Sequence, residues 1–501
     1  MLLINELKLD YKDDESKLKQ LIEKKLKTKI NSFEIYRKSL DARKNPIFVY
    51  SVLVDVDNED KYIRKDITKY IKEDLNPIYK KRNRTCIIVG YGPSGIFSAY
   101  RLAEAGFKVI VFEKGKRINE RVKDVERFFK KGILDENSNV QFGEGGAGTF
   151  SDAKLTTRIK DKYIQYILDV LIKHGAKPSI KYDNHPHVGT DQIRIVIQNI
   201  TNYLISKGVE FHFEEAIEDL IIEDRIIKGV KTLKDKYYGE DVLLGAGHSA
   251  IDIYEILKKN DVYIEDKDIS IGFRVEHPQS LIDNNQTDSL ITEANEYFLR
   301  YKDELGVYSF CMCPGGIVVP AMSQKNTIVT NGMSYSSRDS KIANSAILIQ
   351  KPKTDFINGY DYLNQIETSA YNYSNSYKAL AQNIKDYLND ELNDLIFKST
   401  YPLDTVLYDF NNLFTEKENI ILHKAFEYFD KKINGFIENG IMVGPETRSS
   451  CPIRILRNEK FESINTKNLY PMGEGSGYGG GIMSCGLDGI RISNRIIEKY
   501  E

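Results

Sequence analysis

The stretch IIVGYGPSG, residues 87–95, decides the architecture. It follows a run of buried-type residues beginning at Cys86 and opens PSGIFSAYRLAEAG, whose spacing predicts a helix. The next segment, KVIVFE, reads as a second strand ending at Glu113. Strand, glycine turn, helix, strand is the signature of a doubly wound parallel sheet that binds a nucleotide. Gly90 permits the tight turn, Gly92 lets a pyrophosphate approach the backbone, and Gly95 lets helix and strand pack closely. Pro93 and Ser94 open the helix, whose free N–H groups and dipole favour phosphate. The Glu113 carboxylate, beside Lys114, suits ribose hydroxyls and disfavours a 2′-phosphate.

A second turn raises a question. LLGAGHSA, residues 243–250, also places glycines, Gly245 and Gly247, after a strand. Either it starts a separate nicotinamide-binding unit, or it returns the chain to the first nucleotide. Val262 to Glu265 could mimic a second strand. The following residues turn antiparallel in character, however, leaving little chain for another doubly wound unit. One nucleotide held by several pieces of chain is the expected arrangement.

Outward from these turns, 501 residues suggest about three domains. Residues 1–80 read as a small α+β module: a strand in LLINELKL, a helix behind an Asp cap in DDESKLKQLIEKKL, a strand in NPIFVYSVLVDV and a helix in KDITKYIKEDL. Basic YKKRNR serves as linker. Residues 81–268 form the first part of the nucleotide domain. Residues 269–440 read as an inserted, mainly antiparallel α+β domain, with helical stretches near 364–396 and 415–438. Residues 441–501 return to the nucleotide domain.

Composition narrows the function classes. The formal charge of −2 gives no global attraction to nucleic acid or anionic membrane. No apolar run approaches the roughly 20 residues needed to span a bilayer, and the N-terminus is too short for a signal-peptide core. Five cysteines without a CxxC argue against a disulfide framework and point to a reducing cytoplasm.

The full pattern, with Ala99, Leu102, Gly106 and Glu113 in register, resembles the FAD-binding fingerprint of glutathione-reductase-like flavoproteins. The C-terminal LYPMGEGSGYGGGIMSCGLDG resembles the segment that, in that class, returns to the ribityl chain and flavin. Its candidate contacts are Gly473, Glu474, Gly479, Gly480, Gly481 and Ile482, with Glu474 where the class usually has Asp. NVQFGEGGAGTFSDAKLTTR, HPHVGTDQIR, GFRVEHPQ, YSFCMCPGGIVVPA and VGPETRSSCPIR are similar to a narrower group. This group is the bacterial FAD-dependent (NAD(FAD)-utilizing) dehydrogenases of unassigned substrate, and the likeness extends to RKSLDARK in the N-terminal module. The resemblance implies a Rossmann-like FAD-binding domain and non-covalent FAD. NAD(P)H would be a transient electron donor, or a small redox protein would take that role.

The residues themselves add candidates. Glycine-rich GEGGAGTFSD suits a loop facing the flavin through Gly145 and Gly146, with Ser151 and Asp152 either at flavin edges or merely forming a turn. His185 and His187 flank a proline, and His187 is a candidate proton donor; no metal is expected. Cys311 and Cys313 alternate along a strand, so both thiols should share one face as redox partners, pocket lining or plain core. Arg274, Arg448 and Arg454 require a partner, either an anionic substrate or a structural carboxylate. The leading expectation is a hydride-transferring oxidoreductase acting on an unidentified small molecule. A flavin-dependent RNA-modifying enzyme is the alternative, since residues 17–44 carry ten Lys/Arg against three acids. A non-catalytic flavin-binding protein is the third reading.

Overall fold

A computed structural model describes residues 1–41, 46–183, 185–285 and 294–501. At its centre lies a five-stranded parallel sheet. The order across it is Leu469–Pro471, Asp241–Leu244, Thr85–Val89, Lys108–Glu113 and Glu210–Phe213. These strands are apolar almost throughout because both faces are covered. On one face the helices Pro93–Glu104 and Ile482–Lys499 pack against each other and share a large core with Tyr91, Val111 and Leu243. On the other, Ile87, Phe112 and Leu244 meet a three-stranded antiparallel sheet (Ile217–Glu223, Ile226–Thr232, Lys236–Tyr238) and the helix Ile251–Lys259.

The sheet order brings the two glycine turns side by side. Strand Asp241–Leu244 lies directly beside Thr85–Val89, with Leu244 opposite Val89. LLGAGHSA therefore ends next to the first glycine turn, in the same sheet. The residues that could mimic a further nucleotide strand instead form Ile264–Asp266, paired antiparallel with Ile453–Ile455.

A seven-stranded sheet forms the second layer, in the order Arg300–Lys302, Gly306–Cys313, Ile342–Lys351, Ile269–Pro278, Ile441–Glu446, Ala379–Asn383, Thr405–Leu407. Its pairs are antiparallel except the last. Strand Ile441–Glu446 belongs to this sheet, so the layer extends past residue 440. The stretch near 364–396 is not continuously helical: the helix Gly359–Ser374 is followed by the strand Ala379–Asn383 and a short helix, Ile384–Leu388. Ala379 to Asn383 are all buried, and burial on both faces favours a strand over an amphipathic helix. The second stretch is the helix Glu416–Asp430, closed by a capping box between Thr415 and Glu418.

The N-terminal residues build a four-stranded antiparallel sheet crossed by the helix Lys17–Leu26, with its own core of Leu2, Ile4, Leu18, Ile22 and Val52. Two expectations fail here. KDITKYIKEDL is not a helix: Ile67–Lys69 is a strand on the edge of the sheet, with Ile67 paired to Ile4. Edge pairing of the buried Ile67 outweighed a helical spacing whose next member, Ile71, is exposed. The first helix is entered through Ser16 without a side-chain cap, because Asp14 accepts from the Ser16 N–H instead, at 2.8 Å. The strand Ser32–Asp41 had no counterpart in the sequence reading. The end of RKSLDARK, residues 42–44, lies outside the described residues.

Candidate functional site

Three glycine-rich turns converge on Ser94. A side chain on Gly245 or Gly473 would press on the Ser94 hydroxyl, and one on Gly489 would strike the Ser94 carbonyl. A Cβ on Gly90, whose φ is +91°, would fall 2.6 Å from the Gly245 carbonyl oxygen, and one on Gly475 would collide with that of Ala246. These glycines serve close approach of one backbone to another. The Gly95 Cβ would meet the Gly90 carbonyl, which fixes the tight strand-to-helix packing expected of the third fingerprint glycine.

The turns enclose one long cleft. Gly90, Gly92, Pro93, Ser94, Glu113, Lys114, Gly146, Ser151, Asp152, Gly245, Gly247, Glu474, Gly481, Ile482, Cys311 and Arg448 all line it. Gly95, Gly145, Gly473, Gly479, Gly480, Cys313 and His187 are not among the lining residues. Two helices begin in the cleft, at Gly92 and at Gly481, and neither is capped by a side chain. Their N–H groups and dipoles are directed at whatever occupies it. A Cβ on Gly247, Gly480 or Gly481 would meet no atom within 4 Å, so these positions border open space. Ser249 Oγ, His248 Nε2, Asp252 Oδ1 and Arg448 Nη1 are buried without a hydrogen-bond partner, and all four residues line the cleft. Buried polar atoms are rarely left unpaired. An extended, anionic, hydrogen-bonding ligand fits this donor and acceptor set.

Glu113 is 7% exposed and holds the site together. One oxygen accepts from Tyr91 N at 2.9 Å, and the other from Gly115 N at 2.9 Å and Gly143 N at 3.0 Å. Lys114 crosses to Asp252 at 2.9 Å and lies over the Phe142 ring. His248 Nδ1 stands 3.5 Å from Glu474 Oε1, linking the second and third turns. Asp488, on the C-terminal helix, accepts from Gly473 N at 2.9 Å and pairs with Arg457 at 2.6 Å.

Other expected residues have partners within the protein. Ser151 closes a turn, donating to Gly148 O at 2.8 Å and accepting from Ala153 N at 3.0 Å. The fully buried Asp152 is held in an ionic cluster by Arg338, with Lys154 at 3.9 Å and His187 Nδ1 at 3.5 Å. Burial opposes its charge, but His187, Arg338 and Lys154 outweigh this and lower its pKa. His185 is exposed beside the Phe298 ring. Arg454 lies over Tyr478. Arg274 and Arg448 both find structural carboxylates. Arg274 stands 3.4 Å from Glu446, and Arg448 makes a two-pronged pair with Glu367 at 2.6 and 2.8 Å.

Breaking that last pair should be costly. Glu367→Ala leaves the buried Arg448 guanidinium uncompensated, and destabilisation by about 3–5 kcal/mol is expected. Urea denaturation of the variant against the parent chain checks this. A loss under about 1 kcal/mol would mean solvent reaches the guanidinium, as at an exposed pair.

The thiols depart from simple alternation. The strand Gly306–Cys313 carries a bulge between Phe310 and Cys313, and Cys311 has φ +43°. Phe310 and Cys311 consequently both line the cleft, while Met312 and Cys313 are buried. Bulges re-aim side chains in this way, and a two-residue periodicity does not reveal them. Sequence reasoning also missed Gln141, Glu215, Ala216, Ser249, Asp252, Asn331 and Glu446, which line the cleft. Gln141 and Glu446 sit within stretches already singled out for their resemblance. Ser249 lies inside the second turn itself, and Asp252 follows directly after it.

Known proteins show which family the chain belongs to. A family model described as "FAD-dependent protein, C-terminal domain-like" matches residues 268–449. An NAD(P)-binding Rossmann-like domain matches 88–141, and a domain of unknown function matches 1–56. An uncharacterized protein of Clostridium beijerinckii is 40% identical over 99% of each chain. The chain belongs to the FAD-dependent oxidoreductase family. FAD is the flavoprotein's cofactor. Thiamine thiazole synthase of Saccharolobus islandicus is 37% identical over 71 residues, 14% of the flavoprotein and 27% of the synthase. Glycine oxidase from Bacillus cereus aligns in structure over 84% of this flavoprotein and 96% of the oxidase, at 11% identity and a TM-score of 0.33. Among the described residues, no helix is long and apolar enough to cross a membrane.

Proposed function

We propose that the chain transfers a hydride between non-covalently bound FAD and a small substrate admitted beside Phe310, Asn331 and Arg448. The observation that carries this reading is the convergence of three glycine turns and two uncapped helix N-termini on one cleft. Bound FAD supplies two-electron chemistry. The chain's own groups bind, orient and exclude water. Gly92, Ser94 and Gly95 present backbone N–H groups for the pyrophosphate, while Gly90, whose own N–H is donated to the Phe112 carbonyl, makes the tight turn and Pro93 opens the helix. Glu113 accepts from ribose hydroxyls, Lys114 with Asp252 closes the near wall, and Gly245 with Gly247 lets the ligand lie close to the backbone. Gly481 and Ile482 offer the second helix N-terminus to the flavin end, with Gly145, Gly146, Gly473, Glu474, Gly479 and Gly480 shaping the turns behind it.

On this reading the layout is of the glutathione-reductase type. A module at 1–80 precedes a nucleotide domain assembled from 81–268 and the C-terminal residues, with the antiparallel layer inserted between them. The unpartnered Nη1 of Arg448 favours an anionic or carbonyl-bearing substrate, to which it donates one hydrogen bond while Glu367 balances its charge. Glu446 lines the same cleft, and burial raises its pKa to about 7, so it is placed to hold or release a proton near neutrality. NAD(P)H, or a small redox protein, acts as transient donor.

The purified protein should be yellow and release one FAD per chain on denaturation, read by absorbance and chromatography. FMN in its place, or a colourless protein after expression with ample riboflavin, would sink the reading.

A further inference from the structure

Cys311 and Cys313 flank a strained point. Non-glycine residues seldom adopt a positive φ, yet Cys311 does so at the bulge. The bulge turns its side chain into the cleft and leaves Cys313 fully buried just behind it. Cys313 Sγ reaches back to the Cys311 carbonyl at 3.4 Å, and each thiol acts on the ionisation of the other.

A buried cation serves this pair. Arg274, with no exposed surface, donates to the Cys311 carbonyl at 2.8 Å and to Cys313 Sγ at 3.6 Å. Asn344 Oδ1 fixes its guanidinium through contacts of 2.6 and 3.0 Å. Glu446 stands on its remaining side at 3.4 Å. The neighbouring Cys313 thiol, with Arg274 and Lys154, pulls the Cys311 thiol down against the effect of burial, while Cys313 is pushed up. The pair thus gives up a first proton more readily than a second. Of the remaining cysteines, Cys86 and Cys451 are buried outside the cleft lining and Cys485 lines it, and burial raises the pKa of each.

We propose that Cys311 and Cys313 form a redox pair that exchanges two electrons with the flavin across the cleft, with Arg274 as the residue that positions Cys311. The inference rests on the cleft being the flavin site. In the oxidising direction a sulfur–sulfur bond forms between the Cys311 thiolate and Cys313, and the Cys313 S–H bond breaks. Two electrons and that proton pass to oxidised flavin, giving its reduced anion, so charge and hydrogen balance. A disulfide spanning one intervening residue is strained and therefore easily reduced again, which suits a relay rather than a structural crosslink.

The test uses the flavin-loaded full chain. After mild oxidation with diamide, anaerobic dithionite titration should consume four electrons per flavin, two for the flavin and two for the disulfide. Cys313→Ser and Cys311→Ser should each consume two, and Cys86→Ser should still consume four. Alkylation in denaturant followed by mass spectrometry gives a readout independent of turnover. Three of the five cysteines should be labelled, and the peptide carrying residues 311–313 should be lighter by two hydrogens. Flavin-loaded chain with five labelled cysteines and two-electron uptake would overturn the redox pair while leaving the flavin site standing. A chain that never retains flavin would overturn the cleft reading, and the pair with it.

Discussion

Gly247→Val should strip the protein of its flavin while leaving the apo chain folded. Gly247 lines the cleft, a Cβ there meets no protein atom within 4 Å, and its φ lies outside the left-handed range. Valine can therefore be accommodated in the empty site, and unfolding free energy should change by no more than about 0.5 kcal/mol, as at a surface position. The added methyls occupy ligand space, so retention of FAD should fall at least tenfold, about 1.4 kcal/mol. Gly475→Ala is the contrasting variant: its Cβ would strike the Ala246 carbonyl, so the apo fold itself should weaken. Equilibrium dialysis of FAD and urea midpoints of both apo variants separate the two effects. If Gly247→Val kept its flavin but lost a tight, stoichiometric NADPH, LLGAGHSA would belong to a second nucleotide after all.

The nucleotide half was legible because its determinants are local. A glycine whose neighbour four or five residues away must nearly touch it, as Gly95 touches Gly90, leaves a fixed spacing in the chain. So does the carboxylate ending the second strand. What escaped was set by distance along the sequence. Arg448 meets Glu367, 81 residues earlier, and Arg274 meets Glu446, 172 residues later. Asp152 meets Arg338 across 186 residues. Nothing in the spacing of such residues says which carboxylate will be brought to which guanidinium. The bulge at Cys311 escaped for a different reason: one extra residue in a strand keeps the composition and breaks the alternation. In KDITKYIKEDL the helical spacing was real, but a free sheet edge competed for Ile67 and prevailed.

Glu113 carries the largest single effect, and its geometry changes what its removal should do. A carboxylate that only met ribose hydroxyls would, on substitution by alanine, weaken FAD binding and leave the apo protein untouched. Here both oxygens are already committed to three backbone N–H groups from three separate loops, at Tyr91, Gly115 and Gly143. Each buried N–H left without an acceptor costs about 1–3 kcal/mol. Water entering along the cleft relieves part of this, so Glu113→Ala should destabilise the apo chain by about 3 kcal/mol. It should also lose its flavin, since the same three N–H groups hold the fingerprint turn against the Gly143–Gly146 loop. Glu113→Gln keeps one acceptor oxygen but turns an amide toward donors, and should fall between the two. Urea denaturation of the apo proteins, beside FAD content after purification, decides the point. Unchanged apo stability in Glu113→Ala would show that the carboxylate serves the ligand alone. Unchanged flavin content despite a destabilised chain would show that it serves only the loops. The geometry requires both to fall together.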